Sequence, residues 1–289
     1  MVEDTHSVSD AFAALGDETR VAILEALVDA RCEDPENPGL SFSALRERVG
    51  VADSGRFNYH LGKLRGRFVA SEDGEYSLTE AGNEIVGAIF AGTYDDDVLD
   101  LDPAPLDEEC PLCETPVVAH FGDGQLRVEC EDEHPLLVTA LPPAAATDRS
   151  TEEIVRFAVR KTYAQLDLVT AGICSECYGH VEGEIRSVES DDDALPAYAY
   201  HTECTRCGYV TGSVAAVAAL RHPAFVAFCH DHGVTVQERL PWTLPGIVDD
   251  DTSAVSDDPP RYETSFELGG ERLVVTLGDT GDVLDATRE

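Results

Sequence analysis

Nine cysteines stand in this 289-residue chain, and six of them form three Cys-x2-Cys pairs, at 110/113, 174/177 and 204/207. Such a pair constrains the fold more tightly than hydrophobic patterning does, because it must turn two sulfurs toward one point. In a reducing compartment the pairs read as metal ligands rather than disulfides. The acidic Met-Val-Glu-Asp start matches no signal peptide, and no apolar run approaches the length of a membrane span. A cytoplasmic location, with no membrane partner, is therefore expected.

Cys110-Pro-Leu-Cys113 precedes an alternating stretch, Pro116 to Phe121, the turn Gly122-Asp123-Gly124 and a second strand, Gln125 to Glu129. A hairpin there returns Cys130 and His134 beside the first pair. Three thiolates and one imidazole suit tetrahedral Zn²⁺, whereas oxygen-seeking octahedral ions would not select thiolates. His120 competes as the fourth ligand. Cys174-Ser-Glu-Cys177 and Cys204-Thr-Arg-Cys207, with a polar hairpin between them and Gly179 and Gly208 just after, read as a zinc ribbon. Four ligands leave no coordination position for water, so both Zn²⁺ sites are expected to be structural, with no catalytic residue; a redox dithiol is the alternative for the second. Cys32 reads as an incidental thiol. Cys229-His230-Asp231-His232 reads as structural or surface, with a ligand pocket or metal site as alternatives.

Charge supplies the second constraint. The chain has 20 basic and 57 acidic residues, for a net charge of −37. Residues 41–70 depart from it, with six basic side chains (Arg46, Arg48, Arg56, Lys63, Arg65, Arg67) against Glu47 and Asp53, a local +4 beside −41 for the remainder. A cationic island in a chain that repels polyanions elsewhere points to double-stranded DNA as a partner. With only two lysines and 43% hydrophobic residues, the composition resembles folded proteins of salt-accumulating halophilic archaea.

The chain divides into residues 1–93 with helical periodicity, an acidic linker at 94–109 and a zinc-binding α+β region at 110–289. Within that region, site 1 spans 110–134, site 2 spans 174–207, and a hairpin at 262–277 turns through Gly269-Gly270. An acidic break is expected at 249–260. Apolar residues at helical spacing mark helices at 151–170 and 214–228.

In the first part, Asp17 caps a helix presenting Val21, Leu24, Leu27 and Val28. Ser41 or Ser43 caps a second helix that Gly50 closes, and Val51-Ala52-Asp53 turns the chain into a third, 54–65. On it Phe57, Leu61 and Leu64 point inward, which leaves Gly55, Arg56, Asn58, Tyr59, His60 and Lys63 outward. Strands at 68–71 and 75–78, joined by Asp73-Gly74, follow, and Thr79 caps a last helix. The segments Leu15-Gly16-Asp17-Glu18-Thr19-Arg20-Val21-Ala22-Ile23-Leu24, Tyr59-His60-Leu61-Gly62-Lys63-Leu64 and Leu78-Thr79-Glu80-Ala81-Gly82 resemble the winged helix-turn-helix of ArsR-like transcriptional regulators, over residues 10–92. The cysteines and residues 222–233 resemble the zinc-bearing C-terminal region of halophilic archaeal ArsR-like regulators.

That resemblance implies a third helix in the major groove, with Ser54, Arg56, Asn58, Tyr59, His60, Lys63, Arg65 and Arg67 as the DNA-facing set, and terminal helices supporting a homodimer. The cysteine pair that the family's metal sensors carry beside the DNA-binding helix is missing. The expected fold is α+β, a winged helix-turn-helix followed by a zinc-ribbon region. The expected function is sequence-specific transcriptional regulation without enzymatic turnover. Two alternatives are a zinc-ribbon adapter that binds the transcription machinery through protein contacts and a metal-dependent enzyme centred on Cys229 to His232.

Overall fold

The computed structural model describes residues 8–94, 100–189 and 196–289 as a mixed α+β chain that divides into two compact units. The Asp95-Asp96-Asp97 run of the expected linker lies outside the described residues.

The first unit runs α1 (Val8–Leu15), α2 (Glu18–Glu33), β1 (Leu40–Ser41), α3 (Phe42–Val49), α4 (Ser54–Leu64), β2 (Val69–Glu72), β3 (Glu75–Leu78) and α5 (Glu80–Phe90). Side-chain caps set most of these starts. Asp17 accepts from the N–H groups of Thr19 and Arg20, Ser41 from Ala44, Asp53 from Arg56 and Thr79 from Gly82. Each cap satisfies a donor that has no partner within its own helix. Gly50 ends α3 at φ 77°, the left-handed conformation that lets its N–H reach the carbonyls of Arg46 and Glu47.

The apolar faces then meet in one core: Ile23, Leu24 and Leu27 of α2, Leu45 of α3, and Phe57, Leu61 and Leu64 of α4 are all buried. Phe42 meets Phe57 edge-on, with ring centroids 5.1 Å apart. The β2–β3 hairpin turns through Asp73 at φ 49° and Gly74 at φ 84°, the pair of positive angles that a two-residue type I′ turn needs. It joins β1 in the antiparallel order β1-β3-β2. Close packing at the start of α5 leaves no room for a side chain at position 82, since a Cβ there would lie 2.2 Å from the Phe68 carbonyl oxygen.

Among the described residues the second unit has three antiparallel sheets and two α-helices, with short 3₁₀ turns between them. β4 (Leu101–Glu109), β5 (Pro116–Gly122), β6 (Gln125–Cys130) and β7 (Pro135–Ala140) pair in sequential order, and α6 (Thr151–Thr170) follows. A capping box between Ser150 and Glu153 starts α6. β8 (Val181–Ser187), β9 (Tyr198–Cys204) and β10 (Val210–Val214) form the next sheet, and α7 (Pro223–Asp231) follows it. The last sheet is β11 (Ser253–Asp257), β12 (Pro260–Leu268), β13 (Glu271–Gly278) and β14 (Val283–Arg288). One core joins these layers through Phe121, Val128, Ile154, Ala158, Phe225, Phe228, Phe266 and Val275. Phe225 and Phe266 meet with ring centroids 4.6 Å apart.

Three expectations need correction. Residues 101–109, expected to be linker, are strand β4; Pro103 and Pro105 fit there because β4 is an edge strand and need not donate on its open side. The expected helix over 214–228 is interrupted: Val214 ends a strand, Ala215–Ala219 is a 3₁₀ turn, and α7 begins only at Pro223. Proline lacks the N–H that would continue a helix but suits its first position, where His222 Nδ1 caps Ala224. The acidic break at 249–260 contains β11, and β14 follows the expected hairpin. No helix among the described residues is long and apolar enough to cross a membrane.

Candidate metal centres and a cationic helix face

The eight expected ligands come together as two groups, Cys110, Cys113, Cys130 and His134, and Cys174, Cys177, Cys204 and Cys207, with the ligand atoms of each group within 4.8 Å of one another. The spacing is diagnostic. A tetrahedral ion holding sulfur at about 2.3 Å separates its ligands by about 3.8 Å. Cys113 and Cys130 sulfurs lie 3.6 Å apart, Cys110 Sγ lies 3.7 Å from His134 Nδ1, and Cys130 Sγ lies 3.3 Å from the same nitrogen. In the second group Cys174–Cys207 is 3.7 Å and Cys177–Cys204 is 3.5 Å. The donor set and its size therefore fit a tetrahedral metal ion such as zinc.

One backbone device builds all three Cys-x2-Cys turns. The first cysteine donates its N–H to the carbonyl five residues on: Cys110 to Thr115, Cys174 to Gly179, Cys204 to Tyr209. It accepts at its own carbonyl from the residue after the second cysteine: Glu114, Tyr178, Gly208. Those three residues stand at φ 60°, 56° and 71°. Only Gly208 adopts that angle without steric cost, so Glu114 and Tyr178 are held in a conformation that L side chains disfavour by about 1–2 kcal/mol. The sequence had pointed to Gly179 instead. Its role is different: a Cβ there would lie 2.9 Å from the Arg206 Cβ, across the two knuckles. Hairpin β5–β6 links the halves of the first site and β8–β9 those of the second, so both share one layout.

The thiols are tuned by their surroundings. Burial opposes charging Cys130, but the His134 N–H, the Thr115 hydroxyl and the Asp132 N–H turn toward it and bring it down to about 6. At Cys204 the N–H groups of Cys207 and Arg206 outweigh burial, again to about 6. Cys207 accepts from the Tyr209 N–H, yet the crowded sulfurs of Cys177, Cys204 and Cys174 push it up to about 12. Thiolates this close cannot all be charged unless a cation sits among them. Thr115, whose Oγ1 lies 3.0 Å from Cys113 Sγ, was not singled out from sequence; its place just beyond the knuckle was the available signal.

The remaining candidates do not converge. His120 lies along β5 opposite Arg127 and outside the first cluster. Cys32 is exposed at the end of α2. Cys229 is buried, and burial pushes its thiol up to about 11. Asp231 pairs with Arg288 at 2.7 Å, and His232 Nδ1 lies 2.8 Å from the Phe228 carbonyl oxygen. Among the described residues, Cys229 to His232 form no third ligand group.

In the first unit, α4 turns Ser54, Arg56, Asn58, Tyr59 and Lys63 to solvent, and Arg65 follows, exposed, at its C-terminal end. Lys63 stands 5.5 Å from the Tyr59 ring centroid and Arg65 5.8 Å from that of Tyr76. Arg67 is half-buried. His60 does not face outward as expected. It is buried, with Nδ1 3.1 Å from Asp17 Oδ1, and so ties α4 to the cap of α2. The helical period explains this: Phe57, Leu61 and Leu64 define the inner stripe, and position 60 falls between 57 and 64 on it. Burial raises Asp17, but the opposing pull of His60 and of the Arg20 N–H prevails and holds its carboxyl below the usual range.

Fold and sites together define an α+β protein of two units, the larger built around two four-ligand Cys/His centres. A family model for a domain of unknown function, DUF7351, matches residues 107–283, and the chain belongs to that family. A second model, the domain of unknown function DUF7347, matches residues 8–89. No curated protein and no solved structure matches the chain.

Proposed function

We propose that this chain is a sequence-specific DNA-binding transcriptional regulator, an ArsR-like winged helix-turn-helix joined to a region held by two structural zinc ions. The observation that carries the reading is the outer face of α4. Arg56, Lys63 and Arg65 are exposed and make no ion pair among the described residues, although acidic residues outnumber basic ones 57 to 20. Some cations elsewhere find carboxylates, as in Arg48–Glu33, Arg156–Glu152 and Arg288–Asp231, and others, such as Arg127, Arg160 and Arg206, do not among the described residues. What sets α4 apart is that three exposed, unpaired cations fall within the ten residues from 56 to 65. On this reading α3 braces α4 in the major groove, and β2–β3 is the wing. Asn58 and Tyr59 meet base edges while Ser54, Arg56, Lys63 and Arg65 position the helix. His60 acts as an internal strut. Exposed Val8, Phe12, Phe90 and Tyr94 on and just after the terminal helices of the unit suit burial against a second copy. Zinc suits the sulfur-rich tetrahedral set, and with no open ligand position the reading assigns no catalysis.

The test is gel retardation with DNA selected from a random pool. Arg56→Ala and Lys63→Ala each cost about 1–3 kcal/mol of binding if they read or clamp the groove, with thermal unfolding unchanged. Binding equal to the parent's would defeat the assignment of α4.

One observation favours a second reading, an adapter that works through protein contacts. Ile173, Tyr178 and Val210 are exposed around the four-cysteine centre, Tyr178 to 76%. Retention of a transcription-machinery partner by the parent but not by Tyr178→Ser, with no DNA retarded, would support it.

A further inference from the structure

A shallow groove of about 440 Å³ runs beside the end of α4, lined by Gly62, Arg65, Gly66, Val69, Ala70 and Ser71. Its helix end carries the Arg65 cation. Its strand end stops at Ser71, and the next residues are Glu72 and Asp73, followed after Gly74 by Glu75. All three carboxylates are exposed, and none has a cation partner among the described residues. Glu72 stands directly opposite Glu75 in the β2–β3 register, a like-charge pair that disfavours the hairpin it occupies. The tip therefore carries a like-charge repulsion that no ion pair among the described residues offsets.

We propose that this tip is an electrostatic stop, which confines bound DNA to the α4 face and the groove as far as Ser71 and keeps the phosphates off the hairpin. The inference rests on the DNA-binding reading above and deepens it: the hairpin sets the edge of the contact by repulsion instead of extending it. Two strand residues span about 7 Å, so the carboxylates lie within one Debye length of a phosphate in the groove at ~0.1 M salt but beyond it at ~1 M. Counterions held beside the tip oppose the release of cations that phosphate contacts at Arg56, Lys63 and Arg65 would cause.

The experiment compares parent protein with Glu72→Gln/Asp73→Asn, using duplex DNA selected on the parent from a random-sequence pool, across a KCl series. Asparagine tolerates the φ of 49° at position 73. Glu75 is left in place because it lies over Gly39, where a Cβ would be 2.7 Å from Glu75 Oε2. The expected result is binding about 10-fold tighter than the parent at ~0.1 M KCl, converging at ~1 M as screening removes the stop. The slope of log affinity against log [KCl] becomes more negative by about 1–2, and the hydroxyl-radical footprint widens at the hairpin edge of each half-site. Glu72→Gln alone gives about half the shift in that slope. Equal affinity at ~0.1 M, or weaker binding by the double variant, overturns the stop while leaving DNA binding intact. A parent that retards no DNA at any salt overturns the DNA-binding reading and this inference with it.

Discussion

Gly62 lies on the outer face of α4, where a Cβ would meet nothing within 4 Å. Glycine inside a helix costs about 0.8–1 kcal/mol relative to alanine, because the unfolded chain gives up more freedom. The structure returns nothing for that cost: no neighbour needs the space, and φ at this position is not in the left-handed range. Gly62→Ala is therefore expected to stabilise the first unit by close to the full ~1 kcal/mol. For a unit of this size that raises its transition by about 4–8 °C. Far-UV circular dichroism reports the helices of both units, α6 and α7 of the second included, so the first unit is read from the part of the signal that shifts while the second unit's own probe stays in place. The single tryptophan, Trp242, is buried in the second, so its fluorescence serves as a control that should not move. If the groove beside Gly62 seats DNA, the added methyl also weakens retardation, so stability and binding move in opposite directions. A lowered helical transition would refute the reasoning, since it would require a contact at Gly62 that the structure does not contain.

Elemental analysis of reduced, chelator-free protein should find about two zinc ions per chain, as two four-ligand sites require. Cys110→Ser and Cys204→Ser should each lose one and lower the Trp242 transition, because metal affinity is folding free energy; protein without zinc would remove both sites. Leu61→Ala should cost about 2–5 kcal/mol as a buried leucine, read by urea unfolding of the helical unit, whereas a cost below ~1 kcal/mol would place Leu61 outside the core. The lowered Asp17 carboxyl contributes stability above its ordinary value of 3.8 that is lost as pH falls through its folded value. Asp17→Asn keeps the cap and should flatten the acid limb of unfolding; an unchanged acid limb would show that the His60–Asp17 pair carries no charge coupling.

The ligand set was legible because metal chemistry leaves a short signature: two sulfurs three residues apart, returned by a hairpin to two more ligands. Three helix starts were legible for a similar reason, since Asp17, Ser41 (or its neighbour Ser43) and Thr79 each offer an oxygen just where a helix needs one, whereas Asp53, read only as turn, proves to be the cap of α4. Strands β4, β11 and β14 were not, and the reason lies in the surface. All three lie on sheet edges, where one face and one row of backbone groups need no apolar partner; β4 carries prolines and four carboxylates, and β11 and β14 are short, mostly exposed runs with one aspartate each. Acidic composition reads as linker in such segments even when the backbone is paired. His60 failed differently: polar identity suggested an outward place, while the period fixed by Phe57 and Leu64 turned it in, and Asp17 supplied the partner that makes burial tolerable. The left-handed Glu114 and Tyr178 carry no sequence signal at all, because glycine is the residue that advertises this angle. Their strain is legible only beside Gly208, which holds the same place in the third knuckle without it. Glu114→Gly and Tyr178→Gly should accordingly relieve the strain and raise metal retention against a competing chelator, whereas Gly208→Ala should impose it and lower retention. Equal retention by all three variants would mean that the ligands, and not the turn, set the stability of these centres.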